Sequence, residues 1–175
     1  QDRMTEITQK LVRRIGYDNA PFNIEYFWDR EKDQIWLLEI NTRISESHCR
    51  LFQKVDGRSH HQVAVELAAG RRPTFPHRQG RFEVSGKFFL REWEDAYVAQ
   101  VPSEETVRRI EQEIIPDSTI QIVAEPGQRL SDLMDQDSYS YRVALLFLGG
   151  SSKQDLEKKR RQCEELLYQE FVFER

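Results

Sequence analysis

Near the start of the chain two runs alternate apolar and polar positions with the two-residue period of a strand. They are Phe22-Asn23-Ile24-Glu25-Tyr26-Phe27-Trp28 and Ile35-Trp36-Leu37-Leu38-Glu39-Ile40-Asn41-Thr42-Arg43. Both are rich in aromatic and branched residues, so both predict strands. The link, Asp29-Arg30-Glu31-Lys32-Asp33-Gln34, is wholly polar and predicts an antiparallel hairpin with a longish loop. Ahead of it, Met4, Ile7, Leu11, Val12 and Ile15 recur at helical spacing, predicting an amphipathic helix over 2–15 that Gly16 stops. Behind it, residues 45–55 predict a short helix or ordered loop, and Asp56-Gly57 a turn. Ser59 can cap a helix to about Ala69 that buries Val63, Val65 and Leu67, with Gly70 as its stop.

Residues 71–80 carry two prolines, a glycine and several basic side chains, and read as a solvated linker. Beyond it the pattern changes to short strands and two helices. Residues 82–92 predict a strand, and 96–101 its hairpin partner. Ser103 caps a helix with Val107, Ile110 and Ile114 on its apolar side. Residues 118–124 alternate as a strand, and Pro126-Gly127 is a turn. Residues 139–148 are apolar nearly throughout from Val143, which predicts a central strand. A long helix over 153–168 turns Leu156, Cys163, Leu166 and Leu167 inward. The order ββαββα predicts an antiparallel sheet with helices on one face, so the fold class is α+β throughout. Asp135, Asp137 and Ser138-Tyr139-Ser140-Tyr141 read as a turn leading into a strand.

The hairpin is where chemistry concentrates. Setting Trp28 opposite Trp36 puts Phe27 opposite Leu37, Glu25 opposite Glu39 and Asn23 opposite Asn41 on one face; a one-residue slip would turn these side chains over. Carboxylates so paired have Cβ atoms roughly 4.5–5.5 Å apart and repel unless the face is wet or a cation sits between them. Glu25, Glu39 and Asn41 together offer hard oxygen ligands, which suit Mg²⁺. Arg43, one step further, can hold a phosphate or carboxylate in its planar fork. With Phe27 and Leu37 among the acids, the pattern predicts a partly buried site. A solvated acidic face on a non-catalytic α+β binding module is the alternative.

Composition narrows the partners. The 175 residues carry a net charge of −4, with 38% hydrophobic and 32% charged residues. No basic stripe interleaves with aromatics, which argues against nucleic acid. No apolar run is long enough to span a bilayer, and no signal peptide is legible, so the expected location is the cytoplasm. Cys49 and Cys163 lie in different predicted helices and read as two free thiols. The four histidines make no ligand set.

Glu25, then Leu38-Glu39-Ile40-Asn41-Thr42-Arg43, then Gly57 and the helix ending Ala68-Ala69-Gly70 resemble the C-terminal half of an ATP-grasp ligase. The spacing is similar to that of biotin carboxylase and carboxylate–amine ligases. The resemblance covers roughly residues 10–73. Together with the composition of the linker and the change of pattern beyond it, the resemblance divides the chain into a first domain over 1–73, a linker over 74–80 and an α+β subdomain over 81–175. It also implies ATP bound with Mg²⁺, Mn²⁺ being an alternative ion. Glu25 and Glu39 would bind this cofactor, and Glu25, Glu39 and Asn41 would be the metal ligands. Arg43 would be the catalytic contact to the transferring phosphate or the acid. The implied reaction is carboxylate ligation through an acyl-phosphate, carbon–nitrogen bond formation being favoured, with a small carboxylic acid as substrate. One departure stands out. Biotin carboxylase follows its Arg with Ile-Gln-Val-Glu-His, where this chain has Ile44-Ser45-Glu46-Ser47-His48. The bicarbonate-touching Gln and Glu are thus replaced by Ser45 and Ser47, so only the nucleotide and metal half is implied. The family's glycine-rich loop and phosphate lysines find no match before Phe22. With Gln1 in place of Met, the chain is expected to be a piece of a longer protein, inactive by itself, whose other lobe supplies them.

Overall fold

The computed structural model describes residues 2–134 and 136–175; Asp135 lies outside them. Helix α1 (Asp2–Arg14) carries its apolar residues on one side and ends at Gly16, whose φ of 67° suits a residue without a Cβ. It leans on the hairpin through polar contacts: the Thr8 and Tyr26 hydroxyls are 2.7 Å apart, and Arg3 pairs with Asp33 at 2.6 Å. The hairpin is β1 (Asn23–Asp29) and β2 (Gln34–Asn41), an antiparallel two-stranded sheet. Its turn is held by the Asp29 carboxylate, which accepts from the amides of Glu31 and Lys32.

Helix α2 (Glu46–Asp56) ends at Gly57, left-handed at φ 82°. Helix α3 (His60–Ala68) begins with a full capping box: Ser59 Oγ accepts from the Gln62 amide and Gln62 Oε1 from the Ser59 amide. Val63 and Leu67 are half-buried, but Val65, expected inside, is exposed.

The sheet that follows contains β3 (Val84–Glu92), β5 (Thr119–Ile122) and β6 (Tyr141–Gly150), ordered β3-β6-β5 and antiparallel. The nearly unbroken apolar run of β6 is central, as expected. The strand over 96–101 behaves otherwise. It forms β4 (Tyr97–Gln100) and pairs with the C-terminal β7 (Val172–Glu174), not with β3. Helix α4 (Glu104–Arg109), capped by Ser103, widens into a π-helical turn over Ile110–Ile114. Helix α5 (Lys153–Tyr168) matches its predicted span.

The sheet has a helix on each face. Gly86 and Phe88 of β3 look toward α5, where Leu156 and Arg160 meet them. Leu90, Leu146 and Leu148 pack there with Leu156, Cys163 and Leu167 in the main core. The other face receives α2: Ser85 Oγ donates to the Leu51 carbonyl, and the Arg50 guanidinium lies 5.1 Å from the Phe147 ring centroid. Residues 74–80 run back along α2. The Arg78 amide donates to the buried Asp56 carboxylate at 2.8 Å, and the Gly80 amide to the Val55 carbonyl at 2.8 Å. Before Val84, among the described residues, Cys49 is the only fully buried apolar side chain. Both cysteines are buried thiols without a disulfide.

Candidate functional site

Strand pairing sets the geometry of the acids. Asn23 is the Cα partner of Asn41, and Glu25 that of Glu39. Partners across an antiparallel ladder share a face. The two carboxylates therefore project to the same side of the hairpin, as the alternation predicts. Asn41 follows two residues after Glu39. Its amide nitrogen donates to Glu39 Oε1 at 2.7 Å. Arg43 lies just past the strand. One guanidinium nitrogen reaches Asn41 Oδ1 at 3.4 Å and another the Ile44 carbonyl at 3.3 Å. Glu39, Asn41 and Arg43 thus form one hydrogen-bonded series. The Glu25 carboxylate has no hydrogen-bond or ion-pair partner among the described residues.

Beyond Glu25 the register departs from the expected one. A bulge between Glu25 and Tyr26 shifts the pairing by one, so Tyr26 faces Leu37, Phe27 faces Trp36 and Trp28 faces Ile35. Leu38 is the extra residue. Leu37 moves to the far side, and Trp36 replaces it beside the acids. The expected partial burial is also corrected. Glu25 and Glu39 are exposed, and so are Phe27 and Trp36, each 56% accessible. Aromatic neighbours here border the acids without enclosing them. A cavity of about 930 Å³ follows the outer side of α5, away from the hairpin.

The residues that replace the bicarbonate contacts have new partners. Ser45 caps α2 by position, and its hydroxyl meets His48 Nδ1 at 2.8 Å. Ser47 Oγ accepts from Lys87 Nζ at 2.9 Å. Burial pushes the Lys87 ammonium below the ordinary lysine pKa, Arg142 adds to the effect, and Glu46 opposes it. Lys87 was not singled out by sequence reasoning; its only signal is a cation directly before the apolar run Phe88-Phe89-Leu90. Asp137 pairs with Arg91 and bridges to Ser140, so residues 137–140 form a turn, as expected.

The donor set fits a hard divalent cation. Two carboxylates and a carboxamide oxygen share one face, and one carboxylate lacks any protein partner. Residues 1–74 match the family model described as carbamoyl-phosphate synthase L chain, ATP binding domain. That match covers 74 of the 175 residues. Over nearly its whole length the chain shares its fold with solved structures of low sequence identity. A phosphoribosylaminoimidazole carboxylase ATPase subunit from Aquifex aeolicus superposes at TM-score 0.58 and 13% identity, covering 95% of this chain and 44% of that one. A biotin carboxylase from Campylobacter jejuni, solved as a β-γ-ATP complex, gives 0.61 and 14%, with 98% and 35% covered. The biotin carboxylase domain of a Hydrogenobacter thermophilus 2-oxoglutarate carboxylase, solved with MgADP and bicarbonate, gives 0.57 and 14%, again with 98% and 35% covered. The chain therefore spans less than half of each of these ATP-grasp chains. No curated protein matches it in sequence.

Proposed function

We propose that the hairpin is the metal- and nucleotide-binding wall of an ATP- and Mg²⁺-dependent carboxylate ligase that works through an acyl-phosphate, with carbon–nitrogen bond formation favoured. The observation that carries this reading is the pairing of Glu25 with Glu39 on one face, with Asn41 and Arg43 in series beside them. Glu25, Glu39 and Asn41 hold the ion through oxygen. When bound, Mg²⁺ neutralises phosphate charge and orients the polyphosphate. Arg43 presents its fork to the transferring phosphate or to the acid. Lys87, hydrogen-bonded to Ser47 on the first turn of α2, adds a cation close to the chain segment that carries Arg43, which suits an anionic acid. In this reading residues 1–73 form the half-site, 74–80 connect it, and 81–175 support it from below. Two buried thiols suit a reducing compartment such as the cytoplasm, and no described helix is long and apolar enough to cross a membrane.

With the acids open to water, nothing excludes solvent from a phosphate placed there, so the 175-residue chain alone is expected not to turn over ATP. Exposure of both acids also suits the alternative of a non-catalytic binding module. Mn²⁺ with a non-hydrolysable ATP analogue separates the two. Paramagnetic broadening should be strongest at the amides of Glu25, Glu39 and Asn41, and Glu25→Gln should abolish it. Broadening spread evenly over the acidic surface would favour the binding module. Steady ATP hydrolysis by the chain, lost in Glu39→Gln, would refute the open-site argument.

A further inference from the structure

A second constellation lies where α2, the end of residues 74–82 and the entry to β5 converge. They surround a cavity of about 460 Å³ whose lining includes Arg50, Lys54, Arg81, Phe82, Asp117 and Ser118. Arg50 and Lys54 are four residues apart on α2 and so project from the same side. Three cations face one carboxylate. Arg81 takes that carboxylate in an ion pair with Asp117. Lys54 donates only to the Asp117 backbone carbonyl and sits 5.9 Å from the Phe82 ring centroid. Glu111 is the other acid near Lys54 in charge, but one of its oxygens is taken by the Ile120 amide at 2.6 Å. Arg50 lies over Phe147 and has no carboxylate partner among the described residues.

Ser118 supplies an independent observation. It is 9% exposed, and its hydroxyl is buried with no hydrogen-bond partner. Buried hydroxyls are normally satisfied. An unpartnered donor, a guanidinium without a counter-ion and an ammonium held only by a carbonyl all belong to one cavity. A tetrahedral oxyanion answers all three, because it offers several acceptor oxygens and two negative charges. The volume exceeds one phosphate, since a water occupies about 30 Å³ in the liquid. Room remains for the rest of a small ester.

We infer that this cavity binds a phosphate-class oxyanion, either inorganic phosphate or the phosphate group of a small monoester. Arg50 and Lys54 would hold its charge, Ser118 would donate to it, and the Arg81–Asp117 pair would fix the rim. None of these residues belongs to the hairpin, so the site is separate from the nucleotide wall.

Amide chemical shifts of the isotopically labelled 175-residue chain provide the test. The chain is titrated with sodium phosphate, and separately with glycerol 3-phosphate, at constant ionic strength against chloride. Saturable shifts are expected at Lys54, Ser118 and Thr119. Arg50→Gln and Ser118→Ala should each weaken binding at least tenfold and leave the rest of the spectrum in place. Arg50 is exposed, so its variant keeps the fold. Glu39→Gln should leave the phosphate titration unchanged, which keeps this inference distinct from the metal site. Saturation by only one of the two ligands would support the inference and identify the source. Shifts that merely track chloride, or saturable binding that survives both variants, would overturn it.

Discussion

Replacing Glu39 by glutamine separates folding from chemistry at the hairpin. In the folded chain Glu39 is directly opposite Glu25, and both are exposed. A like-charge cross-strand pair costs roughly 0.2–1 kcal/mol, which the substitution removes. Against this stands the 2.7 Å bond from the Asn41 amide to Glu39 Oε1. Charge assistance roughly doubles such a bond, but exposed polar pairs contribute at most about 1 kcal/mol. Glutamine also keeps a carbonyl oxygen to accept it. The two terms oppose each other, so the stability change is expected within about 0.5 kcal/mol of zero, as for ordinary surface substitutions. The chemical term is much larger. Losing a group that stabilises developing charge costs about 10²–10³ in rate, or roughly 3–4 kcal/mol. The assays are a urea midpoint at constant slope for the chain, and single-turnover ADP formation for a chain that joins these residues to the other lobe of the proposed ligase. A stability loss well above about 1 kcal/mol would mean that Glu39 is a structural acceptor. An unchanged rate would remove the hairpin from the chemistry.

Two further outcomes follow from the packing. Gly80→Ala would bring a Cβ inside contact distance of the Lys54 carbonyl oxygen and the Val55 carbonyl carbon, both backbone atoms. It should cost about 1–3 kcal/mol in urea melts through overpacking between residues 74–82 and α2, and an unchanged midpoint would show that this segment is not held there. Glu170 accepts from the Thr106 hydroxyl and, at 2.8 Å, from the Ser103 amide, and these bonds hold its pKa below the usual glutamate value of 4.5. A depressed carboxylate contributes stability that is present above pH 4.5 and lost as pH falls through the lowered folded value. Glu170→Gln should therefore flatten the acid limb of the stability profile below that pH, and an identical acid limb would refute the assignment.

The sequence was legible where period and chemistry coincide. Asn23, Ile24 and Glu25 pair with Asn41, Ile40 and Glu39 as the alternation requires. The pattern fails at Leu37-Leu38, where two leucines in succession fit either phase and no glycine marks the bulge. Burial of the site was misjudged because alternation assigns a face and says nothing of what covers it. The β4–β7 pairing was hidden for another reason. Both strands are very short, they lie some seventy residues apart, and the nearer β3 offered an apparent partner. Helix α5 was legible almost to the residue because Ser152 caps it and its inward positions keep helical spacing. The π-helical turn after α4 left no mark in the pattern.

The hairpin has one more consequence. A two-stranded sheet with both edges open and its aromatic side chains in water is marginal by itself. Its amides should exchange with solvent through local opening, at free energies far below those protecting the Leu146 and Leu148 amides of β6. The proposed ligands for the ion, Glu25, Glu39 and Asn41, are then correctly spaced only in the closed fraction of hairpins. Apparent affinity equals intrinsic affinity multiplied by that fraction. If the hairpin binds nucleotide as proposed, any surface that covers Phe27 and Trp36 will tighten that binding without touching the nucleotide, and amide exchange at β1 will report the tightening before any change appears at the acids.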